Sequence, residues 1–154
     1  MRKEFVMRGK TSDFKVTGTT EVLNFGKYKP GYAYRLTEFK LYPSSAIGAT
    51  SYELSGTLTA AKTAEDPENP DFNHDGLLAT SVVTFASTGS VKDNVDLTVV
   101  NDTYMITQNL ILAVIDTFNG NDVPINWQCR FESVKMTGAE EAAVNYKQFS
   151  ISDE

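Results

Sequence analysis

Residues able to do chemistry are few in this sequence. It holds one histidine, His74, and one cysteine, Cys129, so any Ser-His-Asp or Cys-His arrangement must be built around one of them. His74 sits in Asp66-Pro67-Glu68-Asn69-Pro70-Asp71-Phe72-Asn73-His74-Asp75-Gly76, among acids and prolines. Cys129 sits in Trp127-Gln128-Cys129-Arg130-Phe131, where alternate residues are Trp, Cys and Phe. That spacing predicts a buried strand face, where an unpaired cysteine acts as a small hydrophobe and a thiolate is disfavoured. There is no G-x-S-x-G elbow, P-loop or H-E-x-x-H pattern. Twenty acids make carboxylate pairs unavoidable, and no pair is set apart for glycoside chemistry by its surroundings. A hydrolase or isomerase would have to rely on His74. The residues point instead to a chain without catalytic machinery.

The histidine loop also holds the one pattern with a physical mechanism. Asp71-Phe72-Asn73-His74-Asp75-Gly76 matches D-x-[DN]-x-[DN]-G, the opening half of a calcium loop. Oxygens of Asp71, Asn73 and Asp75 can converge on one hard cation, and the glycine permits the sharp turn. The second half is missing: the bidentate glutamate would fall at Val82, and the ninth position is Ala79. The residues that follow read as a strand, where an EF-hand needs a helix. Two readings stay open. One is a partial calcium site, completed by Glu65, Asp66 or Glu68 or by a neighbouring chain. The other is a surface loop whose Asp and Asn side chains bond its own backbone. No other cofactor is implied. Asn101-Asp102-Thr103 spells a glycosylation sequon, which acquires meaning only in a secreted chain.

Seven Tyr, nine Phe and one Trp fall mostly on strand faces shared with Leu, Ile and Val, which predicts core rather than a carbohydrate platform. Tyr28, Tyr32 and Tyr34, close to Lys27, Lys29 and Arg35, are the exceptions. Tyr and Arg are enriched at protein interfaces, so Tyr28, Tyr32, Tyr34 and Arg35 form the expected contact patch.

These residues must be positioned by strands. Period-two alternation recurs along the chain. Tyr52, Leu54, Leu58 and Ala60 share one parity in 51–60, with Glu53, Ser55, Thr57 and Thr59 on the other, which predicts a half-buried antiparallel strand. Residues 77–86 are rich in β-branched side chains, and 125–136 alternates through Ile125, Trp127, Cys129 and Phe131. In 32–42 the apolar phase slips from Tyr32, Tyr34 and Leu36 to Phe39 and Leu41, predicting a bulge or a strand that changes sheets. Shorter strands are expected at 3–8, 14–16, 21–25 and 95–100, and 103–117 suits one bent strand or two. Thr137-Gly138-Ala139-Glu140 matches a capping box ahead of Ala142, Ala143, Tyr146 and Phe149 at helical spacing, predicting a short helix over 138–148. A final strand is the alternative there. The expected fold is all-β: an antiparallel sandwich of jelly-roll type, about eight strands and one short C-terminal helix, in one domain over 1–154.

Whole-chain quantities fit this picture. At 154 residues, 41% hydrophobic and 22% charged, the chain can bury a core and is not composed like a disordered segment. Its longest apolar run, 110–115, stops at Asp116, far short of the roughly 20 residues of a spanning helix. No secretory leader is visible, so a cytosolic origin is expected. Residues 1–40 hold nine Lys/Arg against four acids, net +5, and the rest hold five against sixteen, net −11, together −6. The positive residues are interspersed with acids, which reads as solvated strand faces rather than a nucleic-acid strip.

A disulfide-free β-sandwich with long decorated loops resembles the single jelly-roll coat proteins of small tailless viruses and phages. Two stretches carry the likeness: Asn69-Pro70-Asp71-Phe72-Asn73-His74-Asp75-Gly76-Leu77-Leu78-Ala79-Thr80, and the run from Trp127-Gln128-Cys129-Arg130-Phe131-Glu132 into the C-terminal helix. The resemblance implies a structural virion protein, a capsid or minor capsid subunit made in a host cytoplasm. It would associate with copies of itself and other virion proteins in a symmetric shell, with residues 1–10 and 138–154 as arms to neighbours. It brings no catalytic residues. The disordered basic arm frequent in that family is missing from this sequence, so direct nucleic-acid binding is not expected, and neither is membrane insertion. The alternative is a non-catalytic ligand-binding β-sandwich module, carbohydrate-recognising or calcium-dependent.

Overall fold

The expected alternation becomes eight strands in a computed structural model that describes residues 3–11, 19–23, 31–43, 51–61, 63–88, 91–116, 124–140, 142, 143 and 146. They are β1 (Lys3–Lys10), β2 (Thr19–Leu23), β3 (Tyr32–Pro43), β4 (Ser51–Thr59), β5 (Leu77–Thr88), β6 (Val91–Val100), β7 (Leu110–Asp116) and β8 (Ile125–Lys135). A three-stranded sheet runs β1-β8-β3 and a five-stranded sheet runs β2-β7-β4-β5-β6, every pairing antiparallel. The expected strand at 14–16 lies outside the described residues, as do the tip of the expected 21–25 strand and Tyr28.

The two sheets stack through their apolar parities. Leu36, Phe39, Leu41, Trp127, Cys129 and Phe131 of one meet Leu54, Leu58, Val83, Leu110, Leu112 and Val114 of the other in a single core. Burying each of the larger side chains contributes roughly 1.5–3 kcal/mol, which offsets the entropy of ordering the strands. Gly56 makes room for a side chain of the facing sheet. A Cβ there would lie 2.9 Å from Leu41 Cδ1 and 3.2 Å from Val114 Cγ1, so a larger residue would have to displace the Leu41 side chain.

The phase slip in β3 is a bulge. Register with β8 shifts between Leu36 and Glu38, and the extra residue, Thr37, is exposed and donates its hydroxyl to Arg130 O at 3.2 Å. The helix start is also as expected: residues 138–140, 142, 143 and 146 are helical, and Glu140 N donates to Thr137 Oγ1 at 3.2 Å. The reciprocal half of the box is absent, because Thr137 Oγ1 donates to Glu140 Oε1 at 3.1 Å.

Two expectations change. Beyond the exposed Glu53, the outward parity of β4 is covered: Thr57 and Thr59 are both 0% exposed and Ser55 is also buried. The long β4–β5 connection, 60–76, folds over them, with Thr57 Oγ1 donating to Glu65 O at 2.7 Å and Glu65 N to Thr59 Oγ1 at 3.1 Å. In 103–117 only β7 is a strand. Ahead of it, Ile106 forms an isolated bridge to Tyr34, with backbone bonds of 2.9 and 2.8 Å.

That bridge bears on topology. A jelly roll winds a long hairpin so that strands 1 and 8, 2 and 7, 3 and 6, and 4 and 5 become neighbours. The β1/β8, β2/β7 and β4/β5 pairs are present. The fourth is not: β6 stays beside β5, and among the described residues the Tyr34–Ile106 bridge is what joins β3 to the segment between β6 and β7. The fold is an antiparallel β-sandwich, and jelly-roll winding is incomplete at β6.

Candidate functional site

The acidic loop turns most of its polar groups on itself. Asp71 Oδ1 accepts from Asn73 N at 2.9 Å, Asp66 Oδ1 from Glu68 N at 2.9 Å, and Glu65 Oε1 from Asp71 N at 2.9 Å. The first two are the local side-chain turns that Asp and Asn favour, and the third is a longer clasp across the loop. Asp75 lies near the buried Tyr104, whose phenol is pushed up to about 12 by burial first and by that carboxylate second. Among the described residues no three His, Cys, Asp or Glu side chains gather as a metal set. His74 accepts a bond at Nδ1 from Gly76 N at 3.0 Å, a turn contact within the loop.

Cys129 is 0% exposed, and burial pushes its thiol up, away from the thiolate a nucleophile needs. The expected contact patch is divided. Tyr34 meets Phe5 edge-on at 5.4 Å between centroids and packs against the core. Arg35, next along β3, belongs to the opposite face and pairs with the buried carboxylate of Glu132. Tyr32 is half-buried at the start of β3.

A different cluster forms on the outer face of the three-stranded sheet. Register lines up its outward residues in rows: Lys10, Asn126 and Tyr42, then Arg8, Gln128 and Lys40, then Val6, Arg130 and Glu38, then Glu4, Glu132 and Arg35. The first two rows hold three cations and no carboxylate, and the last two hold two cations and three carboxylates. The first two, together with Gly9, Leu41 and Trp127, line an open groove of about 670 Å³. The amides of Asn126 and Gln128 form its floor. Arg8 and Lys10 make one wall, Lys40 and the 59%-exposed Tyr42 the other. Arg8 Nη1 donates to Gln128 Oε1 at 3.4 Å and Asn126 Nδ2 to Pro43 O at 3.1 Å, which orients the floor. Lys40 Nζ lies 3.9 Å from Glu38 at the groove's end, an exposed pair of little energetic weight. A volume within the usual range of ligand sites, cations, amides and one open ring suit an anionic or sugar-like ligand. The alternation of Arg8 and Lys10 with Met7 and Gly9, and of Lys40 and Tyr42 with Phe39 and Leu41, was visible in the sequence. Their convergence was not, because β1 and β3 meet only through β8.

A second surface lies across the molecule. β6 ends the five-stranded sheet, and Val95, Asp96, Leu97, Thr98 and Val99 are all exposed. Alternation puts Val95, Leu97 and Val99 on the outward side, at 42%, 65% and 53% exposure, beside half-buried Val82. On the other side of the strand Asp96 and Thr98 are exposed as well.

No protein-family model matches the chain, and no curated protein matches it.

Proposed function

We propose that this chain is a non-catalytic structural subunit, a coat or minor component of a virion shell, that works by associating with copies of itself. The observation that supports this reading is the β6 edge: a strand of ten residues at the rim of its sheet, with three large apolar side chains open on one side. Soluble β-proteins ordinarily shield such edges with charges, bulges or covering loops, because an uncovered one pairs with another chain. Of the expected arm 1–10, the described residues 3–10 are β1 and pair along their whole length with β8. Association would therefore fall to the edges and to the C-terminal segment.

The test is size in solution. Sedimentation velocity and negative-stain microscopy of the purified protein at tens of micromolar are expected to show rings, shells or smaller closed oligomers. A monomer under varied salt and calcium would overturn the proposal.

A second reading, a ligand-binding module, is favoured by the Arg8–Lys10–Lys40–Tyr42 groove. A glycan array and titration calorimetry test it, with Tyr42→Ala and Lys40→Ala expected to abolish binding. Calcium dependence lost on Asp71→Ala and Asp75→Ala would move the site to the acidic loop instead.

A further inference from the structure

We infer that β6 pairs antiparallel with β6 of a second copy about a two-fold axis through Leu97, joining two five-stranded sheets into one of ten strands. This rests on the self-associating reading above and specifies one of its contacts. Three observations carry it. First, among the described residues β6 is the last strand of its sheet, so alternate N–H and C=O groups along it face away from β5 and can accept a new strand. Second, five successive residues, 95–99, are exposed on both sides of the strand, so neither face obstructs an incoming chain.

Third, the 95–99 segment is self-complementary in one register. A two-fold that preserves strand faces pairs residues of like parity, so it must pass through a residue. Centred on Leu97, it places Leu97 opposite Leu97, Val95 opposite Val99 and Asp96 opposite Thr98. All three exposed apolar side chains of the segment then meet apolar partners, and no carboxylate faces another. Aliphatic cross-strand pairs of this kind stabilise antiparallel ladders, and like charges oppose them. Centring on Asp96 sets two carboxylates face to face. Centring on Val95 puts Asp93 against Leu97, and centring on Thr98 leaves Val95 against Asn101. Thr98 Oγ1 donates to Asp96 Oδ1 at 3.1 Å within each strand, so that carboxylate already holds a partner beside the axis. The contact is isologous, as a two-fold requires, and leaves other surfaces free to build a larger closed assembly.

Disulfide trapping reads the register directly. The one native thiol, Cys129, is fully buried, so an introduced cysteine on β6 is the only accessible one. Directly opposed residues in an antiparallel pair have Cα atoms about 4.5–5.5 Å apart, within the span of a disulfide. Under mild oxidation Leu97→Cys is expected to run mainly as a dimer on a non-reducing gel. Val95→Cys and Val99→Cys alone are expected to stay monomeric, and the Val95→Cys/Val99→Cys double variant to dimerise. Absence of the Leu97→Cys dimer, or equal dimer from Val95→Cys, overturns the pairing. Microscopy of the unmodified protein separates this from the shell reading. Particles without Leu97 cross-links refute the β6 contact alone, whereas cross-linked dimers that never exceed a dimer support the contact and count against the shell.

Discussion

The outward faces of the two sheets are opposites. On the three-stranded sheet the outward residues are Lys, Arg, Glu, Gln, Asn and Tyr with Val6 among them, in ordered rows that are half-buried or exposed apart from the buried Glu132. On the five-stranded sheet they are mainly Thr, Ser, Val, Ile, Leu and Ala, with Glu53 near the start of β4, covered in the middle by the 60–76 connection and open at β6. Both arise from strands with the same two-residue period. The difference shows that a polar parity does not by itself mean a wet face. Threonine satisfies alternation as well as lysine does, yet its short side chain can be buried once its hydroxyl finds a carbonyl, as Thr57 finds that of Glu65.

The sharpest way to break this contrast is a carboxylate at equivalent outward positions. Thr57→Asp introduces an unpaired charge at a fully buried site and is expected to cost at least about 3 kcal/mol in urea unfolding. Gln128→Asp on the other sheet is expected to stay within about 0.5 kcal/mol. Comparable losses would mean that the two faces are equally accessible. Next in size is the seam between the sheets. Gly56→Val forces methyl groups against Leu41 and Val114 and is expected to cost about 1–3 kcal/mol; a neutral result would show that the sheets can separate freely there. Smaller still, Thr57→Val keeps shape but leaves Glu65 O without its 2.7 Å donor. A loss of about 1 kcal/mol, with faster proteolysis within 60–76, is expected if that bond holds the cover down.

The remaining effect is the pH dependence of the loop-covered side. Tyr104 has its phenol raised in the folded state from the ordinary 10.0 to about 12, so folding favours the protonated form. Its contribution is fully present below pH 10 and declines as pH rises from there towards about 12. Thermal melts should be level from neutral pH to near 10 and fall beyond it. Tyr104→Phe should reduce that alkaline decline, and an unchanged profile would assign it to other groups.

Much of the fold was legible beforehand. The apolar parities of β3, β4 and β8, the bulge at Thr37 and the Thr137 cap all follow from spacing, because strand and helix periods and cap chemistry are local properties. The candidate surfaces were legible only in part. Arg8 and Lys10 lie about thirty residues from Lys40 along the chain, interspersed with Glu4 and Glu38. They looked like dispersed charge until the shared neighbour β8 set the rows, leaving Glu4 and Glu38 at the other end.

What the sequence determined by itself is a set of two-faced strands, with one face of each apolar enough to make a core. Which strands become neighbours, which second face is covered and which edge stays open were decided only in three dimensions. Alternation specifies the two sides of a strand. It carries no information about what lies opposite either side, and that depends on registers and crossings between distant segments of the chain.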